Sequence, residues 1–366
     1  MDTITQGLLG AATAQLGFRQ RIGRDATWVA AAAAVVPDLD IFVVPLLSMT
    51  GMEVDSFSQM RYHRGLSHSL LFAPVLSLPI ALLWWRLRRR AARRNDANAA
   101  ARAKPPPFGL LYLCVLVAVF THPLLDWCTS YGTRLLEPLT STRYAIDAAP
   151  IIDLIYTPLL ILTLLACRLA RRGRTGRAPR ATLAIGWLGF LLSVGYLAAG
   201  RVLHDRAVDR AVGLVGSETV VRADAYPAIG SIFLWRAVVE TDRAWHAVRV
   251  HHLSDAPPGA RAHERLAKAP DNEWIARARA LPEHATYEWF ASGRLRSEYR
   301  QVDGTHIVRF HDMRYSRRSD GLESLWPLVV EFGPDGSVIH VGREMERHSG
   351  RLLDYAAAAW RDLWNP

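Results

Sequence analysis

Four stretches of this 366-residue chain, roughly 28–49, 68–86, 108–128 and 181–200, are apolar over about the 20 residues that a helix needs to cross a bilayer. In lipid every backbone N–H and C=O must be bonded within its own segment, so each stretch is expected to be a transmembrane helix. A fifth run, about 151–169, is shorter but equally apolar. The opening stretch, about 3–17, carries Gly7, Gly10, Ala11, Ala12 and Ala14 at close spacing, and reads as a half-helix packed on its neighbours through that small face.

Half of the residues are apolar, a mixture of bundle and soluble domain. Residues 1–200 hold 21 of the 44 Lys+Arg and 11 of the 34 Asp+Glu, while 201–366 hold 23 of each, so the whole net charge of +10 sits in the apolar half. The positive residues cluster at Arg19–Arg24, eight between Arg86 and Lys104, and six between Arg168 and Arg180. These clusters alternate with weakly charged loops in the order that the positive-inside rule requires, which makes them cytoplasmic and excludes a nucleic-acid partner as their purpose. Met1–Gln6 lacks a basic leader and is not expected to be a cleavable signal peptide, so later segments must direct insertion. The expected architecture is an α-helical integral membrane bundle of about five spans plus the half-helix, over 1–200. An α+β, β-rich extramembrane domain follows over 201–366. An odd number of spans puts that domain outside, in the periplasm of a multi-pass inner-membrane protein.

The second half alternates apolar and polar residues at 245–250 and 306–310. Leu328–Phe332 and Ser337–Val341 flank Gly333-Pro334-Asp335-Gly336, the signature of a hairpin. Helix is expected near 260–281 and over 350–364, and the basic segments 87–107 and 170–180 read as loops. Cys114, Cys128 and Cys167 have no paired spacing and read as buried, inert thiols.

Ionisable groups beside or within membrane-length apolar runs are costly and mark function. Three strings qualify: Pro37-Asp38-Leu39-Asp40, His63-Arg64-Gly65-Leu66-Ser67-His68 and Thr121-His122-Pro123-Leu124-Leu125-Asp126. His122 and Asp126, four residues apart, share one helix face and can grip one ion. His63 and His68 flank Arg64-Gly65, and Arg64 suits bidentate binding of a phosphate or carboxylate. Pro37 can break the first span and turn Asp38 and Asp40 into a cavity, where a cation is their simplest partner and either could serve as a general base. Asp147 and Asp153 flank the outer end of the fifth run and read as solvated loop residues, with a supporting position behind the metal ligands as the alternative. Trp84-Trp85, Trp127 and Tyr131 fit interfacial aromatic belts, and His251-His252 is read as structural because neighbours on a strand face opposite sides.

Together with Met1–Ala11, Tyr131-Gly132-Thr133 and Ile152-Asp153, these strings resemble the YdjM-like family of bacterial inner-membrane metal-dependent hydrolases over roughly residues 1–200. Tyr226-Pro227 and Trp235-Arg236 are a looser match beyond that range. The resemblance implies a divalent metal, zinc first, held by Asp38, Asp40, His63, His68, His122 and Asp126, and a distant kinship with helical phosphoesterases such as zinc-dependent phospholipase C and P1-type nucleases. Some members carry a histidine where Gln6 stands here. The expected function is hydrolysis of a phosphoester or lipid-headgroup bond, with Arg64 and Asp40 in the catalytic machinery and the lipid bilayer as surroundings. The alternatives are a non-catalytic metal-stabilised scaffold and an ion-coupled transporter; the latter would favour inverted repeats, and no repeat is visible.

Overall fold

The computed structural model describes residues 1–94, 106–172, 180–253, 263–316, 318 and 320–344. The helix expected over 350–364 lies outside the described residues, as do the middle parts of both basic segments. The chain divides into two compact units. The first is Met1–Val43, His63–Ile146 and Ile151–Ala198, and the second Val44–Tyr62, Asp147–Pro150 and Ala199–Pro366.

The helices in chain order are α1 (Thr3–Thr13), α2 (Phe18–Ile22), α3 (Asp25–Val35), α4 (Val43–Met49), α5 (Ser58–Tyr62), α6 (Ala73–Arg94), α7 (Phe108–Trp127), α8 (Tyr156–Arg172), α9 (Arg180–Val212), α10 (Glu273–Arg279) and α11 (Pro282–Ala291). Among the described residues three runs are long and apolar enough to cross a membrane: Asp25–Met49, α7 and α9. Ser58–His68 with Ala73–Arg90, bent by 73°, makes a fourth if it is one broken span. The fifth expected span corresponds to α8, whose 17 residues make a helix of about 25 Å against a hydrocarbon core of about 30 Å. The expected loop at 87–107 begins as helix, because the Arg and Ala residues that end the apolar run are good helix formers and α6 continues to Arg94.

Asp2 caps α1, its Oδ1 accepting from Thr5 N at 3.0 Å. Small residues then let α1 lie against α3: a Cβ on Gly10 would stand 2.5 Å from Ala30 O and 2.5 Å from Ala34 Cβ. The alanines of α3 pack in turn on α6 and α7, with Val29, Ala30, Ala33, Leu111, Val115, Ala118 and Val119 fully buried. Close backbone approach through small residues is the usual adhesive where lipid removes the hydrophobic drive. At Pro37 the α-helix is interrupted, as the sequence led us to expect. Pro37 removes one helical N–H, and the backbone tightens into a 3-10 stretch over Val36–Phe42 before resuming as α4.

The second unit contains two four-stranded antiparallel sheets, each in sequential order. The first is β1 (Val220–Pro227), β2 (Leu234–Thr241), β3 (Ala244–His251) and β4 (His263–Ala267). The second is β5 (Leu295–Val302), β6 (Thr305–Asp312), β7 (Leu328–Phe332) and β8 (Val338–Arg343). The turn before β8 has Gly336 at φ 80°, and Asp335 Oδ1 accepts from Ser337 N, so the hairpin forms where its turn residues place it. Where helix was expected over 260–281, the chain forms β4 and the short α10: pairing of His263–Ala267 along the edge of β3 overrides local helix propensity.

Candidate metal centre

All groups of the site belong to the first unit. The 3-10 stretch supplies Asp38 and Asp40, the turn after α5 supplies His63 and Arg64, the 3-10 turn Leu66–His68 supplies His68, and α7 supplies His122 and Asp126 one turn apart. Four of these six candidate ligands converge: one atom each of Asp38, His68, His122 and Asp126 lies within 4.8 Å of the others. His122 Nε2 is 3.0 Å from His68 Nε2, 3.3 Å from Asp38 Oδ1 and 3.6 Å from Asp126 Oδ2; His68 Nε2 is 3.4 Å from Asp126 Oδ2 and 3.7 Å from Asp38 Oδ1. His68, His122 and Asp126 are fully buried, and Asp38 keeps 13 % of its side chain exposed.

The outer nitrogens of the two rings are already engaged. His122 Nδ1 donates to Ala34 O at 2.6 Å, since a carbonyl can only accept. His68 Nδ1 faces Asp40 Oδ2 at 3.2 Å and Ser67 Oγ at 2.9 Å. With Nδ1 carrying the proton on each neutral ring, both Nε2 lone pairs point at one another and at two carboxylate oxygens. Four such donors converge on one point and could hold a cation, while Asp126 is also paired with the Met1 ammonium and with Arg64. Ligands at about 2.0–2.1 Å from a tetrahedral zinc stand about 3.3–3.4 Å apart, in the middle of the distances found here, so the donor set fits such an ion.

Asp40 and His63, expected as ligands, stand one layer out. Asp40 Oδ1 meets His63 Nδ1 at 2.6 Å, and its Oδ2 accepts from Arg64 N at 2.9 Å and Ser67 Oγ at 2.7 Å while facing His68 Nδ1. The two carboxylates diverge because residues two apart in a 3-10 turn project to different sides. Asp40 thus holds His68 by its back, the carboxylate–histidine arrangement that orients metal ligands. Its oxygens are saturated with partners, which leaves it poorly placed as a free general base.

Arg64 is buried at φ 59°, a left-handed conformation that a non-glycine residue adopts at a cost of about 1–3 kcal/mol. Hydrogen bonds through Arg64 N to Asp40 and from Arg134 N to Arg64 O fix it there. Its Nε lies 3.0 Å from Asp126 Oδ2, Nη1 donates to Thr129 Oγ1 at 3.1 Å, and the guanidinium covers the Tyr131 ring at 4.7 Å. Tyr131, read from sequence as part of an aromatic belt, therefore packs on the arginine of the site.

Gln6 was not foreseen as part of the site from its chemistry alone. Its Nε2 donates to Asp126 Oδ1 at 3.0 Å and to His122 O at 3.2 Å, so it occupies a position beside the ligands. The one signal was the family resemblance, which implied a histidine at this position in some members. Asp153 is not solvated: it is 1 % exposed, caps α8 through the N–H groups of Ile155 and Tyr156, and accepts from Tyr196 Oη at 2.8 Å. Asp147 is buried as well. In the second unit His252 Nε2 donates to Leu203 O, a structural use.

A family model described as YdjM inner membrane protein matches residues 1–205, the part of the chain that holds every residue of the cluster. No curated protein and no solved structure matches the chain.

Proposed function

The chain belongs to the YdjM inner membrane protein family, and on that premise we propose that it is a membrane-bound, metal-dependent hydrolase of phosphoester or lipid-headgroup bonds. The observation that carries this reading is the convergence of the His68 and His122 Nε2 atoms, 3.0 Å apart, with Asp38 and Asp126, and a conformationally strained arginine against the cluster. Asp38, His68, His122 and Asp126 would hold the ion, and zinc is the choice that a compact nitrogen and oxygen set favours. When bound, a divalent ion of this kind supplies Lewis-acid polarisation and activation of water.

The chain's own groups have separable tasks. Asp40 orients His68, and the Ala34 carbonyl orients His122. Arg64 is always charged and offers donors to an anionic group that develops beside the cluster. Tyr131 and Thr129 hold the guanidinium in place. The partly exposed Asp38 side is where substrate would approach.

The membrane arrangement in this reading is multi-pass with the β-rich unit in the periplasm. It rests on the arginine clusters before α3, at the end of α6 and at the end of α8, which share one side only if α8 crosses the bilayer.

A structural metal clamp is the second reading, favoured by the count of four protein donors around one point, the number that closes a structural zinc site. The deciding experiment measures metal content and turnover of phosphomonoester, phosphodiester and phospholipid substrates by the full chain and by Arg64→Gln. Metal retained in both proteins, with turnover in wild type lost in Arg64→Gln, supports the hydrolase. Metal retained with no turnover in any loaded wild-type preparation supports the clamp.

A further inference from the structure

A groove of about 660 Å³ runs along the first unit, away from the metal centre, between α1, α3 and α8. Its walls are apolar: Ile4 and Leu8 from α1, Trp28 from α3, and Ile161 and Leu165 from α8. Ile4, Trp28 and Leu165 are 74 %, 65 % and 47 % exposed, which is costly in water and natural in hydrocarbon. Along α1 the apolar floor runs from Ile4 to Ala11, about 10 Å at the helical rise.

One end of the groove is closed by four arginines, Arg19, Arg24, Arg168 and Arg171. Among the described residues none of them pairs with a carboxylate. Asp25, adjacent to Arg24 in sequence, is bound instead by Arg88 at 2.5 Å. Neutral groups hold the two inner arginines: Arg19 Nη1 donates to Thr27 Oγ1 at 2.8 Å, and Arg171 Nη2 donates to Gln15 Oε1 at 2.5 Å. Gln15, fully enclosed, is itself tied to Ala11 O and Thr27 Oγ1. Arg171 Nε is buried without a hydrogen-bond partner. The charges of Arg24 and Arg171 both bear repulsively on Arg19. Four like charges thus stand at the end of an apolar trough, two of them oriented by neutral side chains and, among the described residues, none paired with a carboxylate.

We propose that this groove is a binding site for an anionic phospholipid, with the headgroup phosphate among Arg19, Arg24, Arg168 and Arg171 and one acyl chain along Ile4, Leu8 and Leu165. Complementarity of charge at one end and of apolarity along the other selects a molecule with both features. Basic pockets between helices on the cytoplasmic side are where anionic headgroups bind, and all four arginines lie in clusters that charge topology assigns to that side. The site is independent of the hydrolase reading and would persist if the metal were purely structural.

The test uses the full chain, purified in detergent and stripped of lipid, with phosphatidylglycerol, phosphatidylcholine and inorganic phosphate as probes in native mass spectrometry and thermal-shift titrations. Phosphatidylglycerol is expected to bind and raise the melting midpoint, with phosphatidylcholine much weaker and inorganic phosphate without effect. Arg19→Gln/Arg171→Gln should weaken phosphatidylglycerol roughly thirtyfold, from the usual worth of two basic residues at an anionic surface. The exposed pair Arg24→Gln/Arg168→Gln, which disturbs no internal hydrogen bond, should weaken it roughly tenfold. Arg86→Gln/Arg90→Gln, equal in charge removed but outside the groove, should leave it unchanged. The proposal is overturned if the Arg86/Arg90 control weakens binding as much as the groove pairs, or if both groove pairs bind like wild type. It is overturned equally if inorganic phosphate alone reproduces the shift, or if lipid-free chain forms a dimer that the groove variants dissociate.

Discussion

His68 Nε2 and His122 Nε2 face each other across 3.0 Å while each ring donates its other nitrogen outward, to Asp40 and to Ala34 O. Two imidazole nitrogens at that distance must share either a proton or a metal ion. On the metal reading the purified full chain is expected to carry close to one divalent ion per molecule. His122→Ala and Asp38→Ala should each abolish that ion, as read by plasma mass spectrometry. A wild-type chain free of metal after growth and refolding with zinc, manganese and iron in turn would sink the idea.

In the proposed centre Asp40 would act through His68 rather than on the ion. Asp40→Asn is expected to weaken metal binding about 10–100-fold, the usual cost of losing the carboxylate behind a ligating histidine, without abolishing it. If Asp40→Asn removes the ion as fully as Asp38→Ala, Asp40 is a direct ligand and the present geometry misassigns it.

Stripping the metal should also cost stability, because a ligand that binds only the folded state stabilises it by mass action, about 2.7 kcal/mol at a hundredfold excess over its dissociation constant. Chelation is expected to lower the melting midpoint of the solubilised wild type by several degrees, reversibly on adding zinc. The His68→Ala/His122→Ala protein should show no response to chelator.

How much of this was legible follows the physics of each signal. The apolar runs gave α7 to within a residue because bilayer thickness dictates length, and the i, i+4 spacing placed His122 and Asp126 on one face. Asp38 and Asp40 could not be told apart, since the tightening of the backbone after Pro37 decides their directions and neighbouring residues do not reveal it. The burial of Asp153 and the contact of Tyr131 with Arg64 were missed for a similar reason: each is used by a partner far off in sequence, Tyr196 and Arg64.

In the second unit, Arg314 and Asp312 are buried together, with Arg314 Nη2 donating at 2.6 Å and Nε at 3.0 Å. Asp312→Ala leaves a cation enclosed without its carboxylate and is expected to destabilise this unit by about 3–5 kcal/mol. Asp312→Ala/Arg314→Met should recover most of the loss, measured by denaturant unfolding of the sheet signal. A single variant as stable as wild type would refute this.

The same unit should weaken in acid in two stages. Burial holds His252, His263, His284 and His311 below the ordinary 6.5, and hydrogen bonds from Thr241, His246 and Arg265 hold Glu218 down from 4.5 to about 2. Each group binds fewer protons folded than unfolded. The histidine contribution is therefore present above 6.5 and is lost as pH falls through that value toward the lowered folded values; that of Glu218 is present above 4.5 and is lost between 4.5 and about 2. The melting midpoint followed by circular dichroism should fall from pH 8 to pH 5, then again below pH 4.5. Glu218→Gln should flatten only the second step.

The contact of α1 with α3 at Gly10 reaches further than packing. The Cβ that Gly10 lacks would meet Ala34, and Ala34 is the residue whose carbonyl takes the His122 proton. α1 also brings Gln6 to Asp126. A single added methyl at position 10 would wedge the two helices apart and let His122 choose its other tautomer, turning a coordinating nitrogen into a donor. The ability of this cluster to accept a metal is then governed from a glycine that touches no ligand, by a volume kept empty.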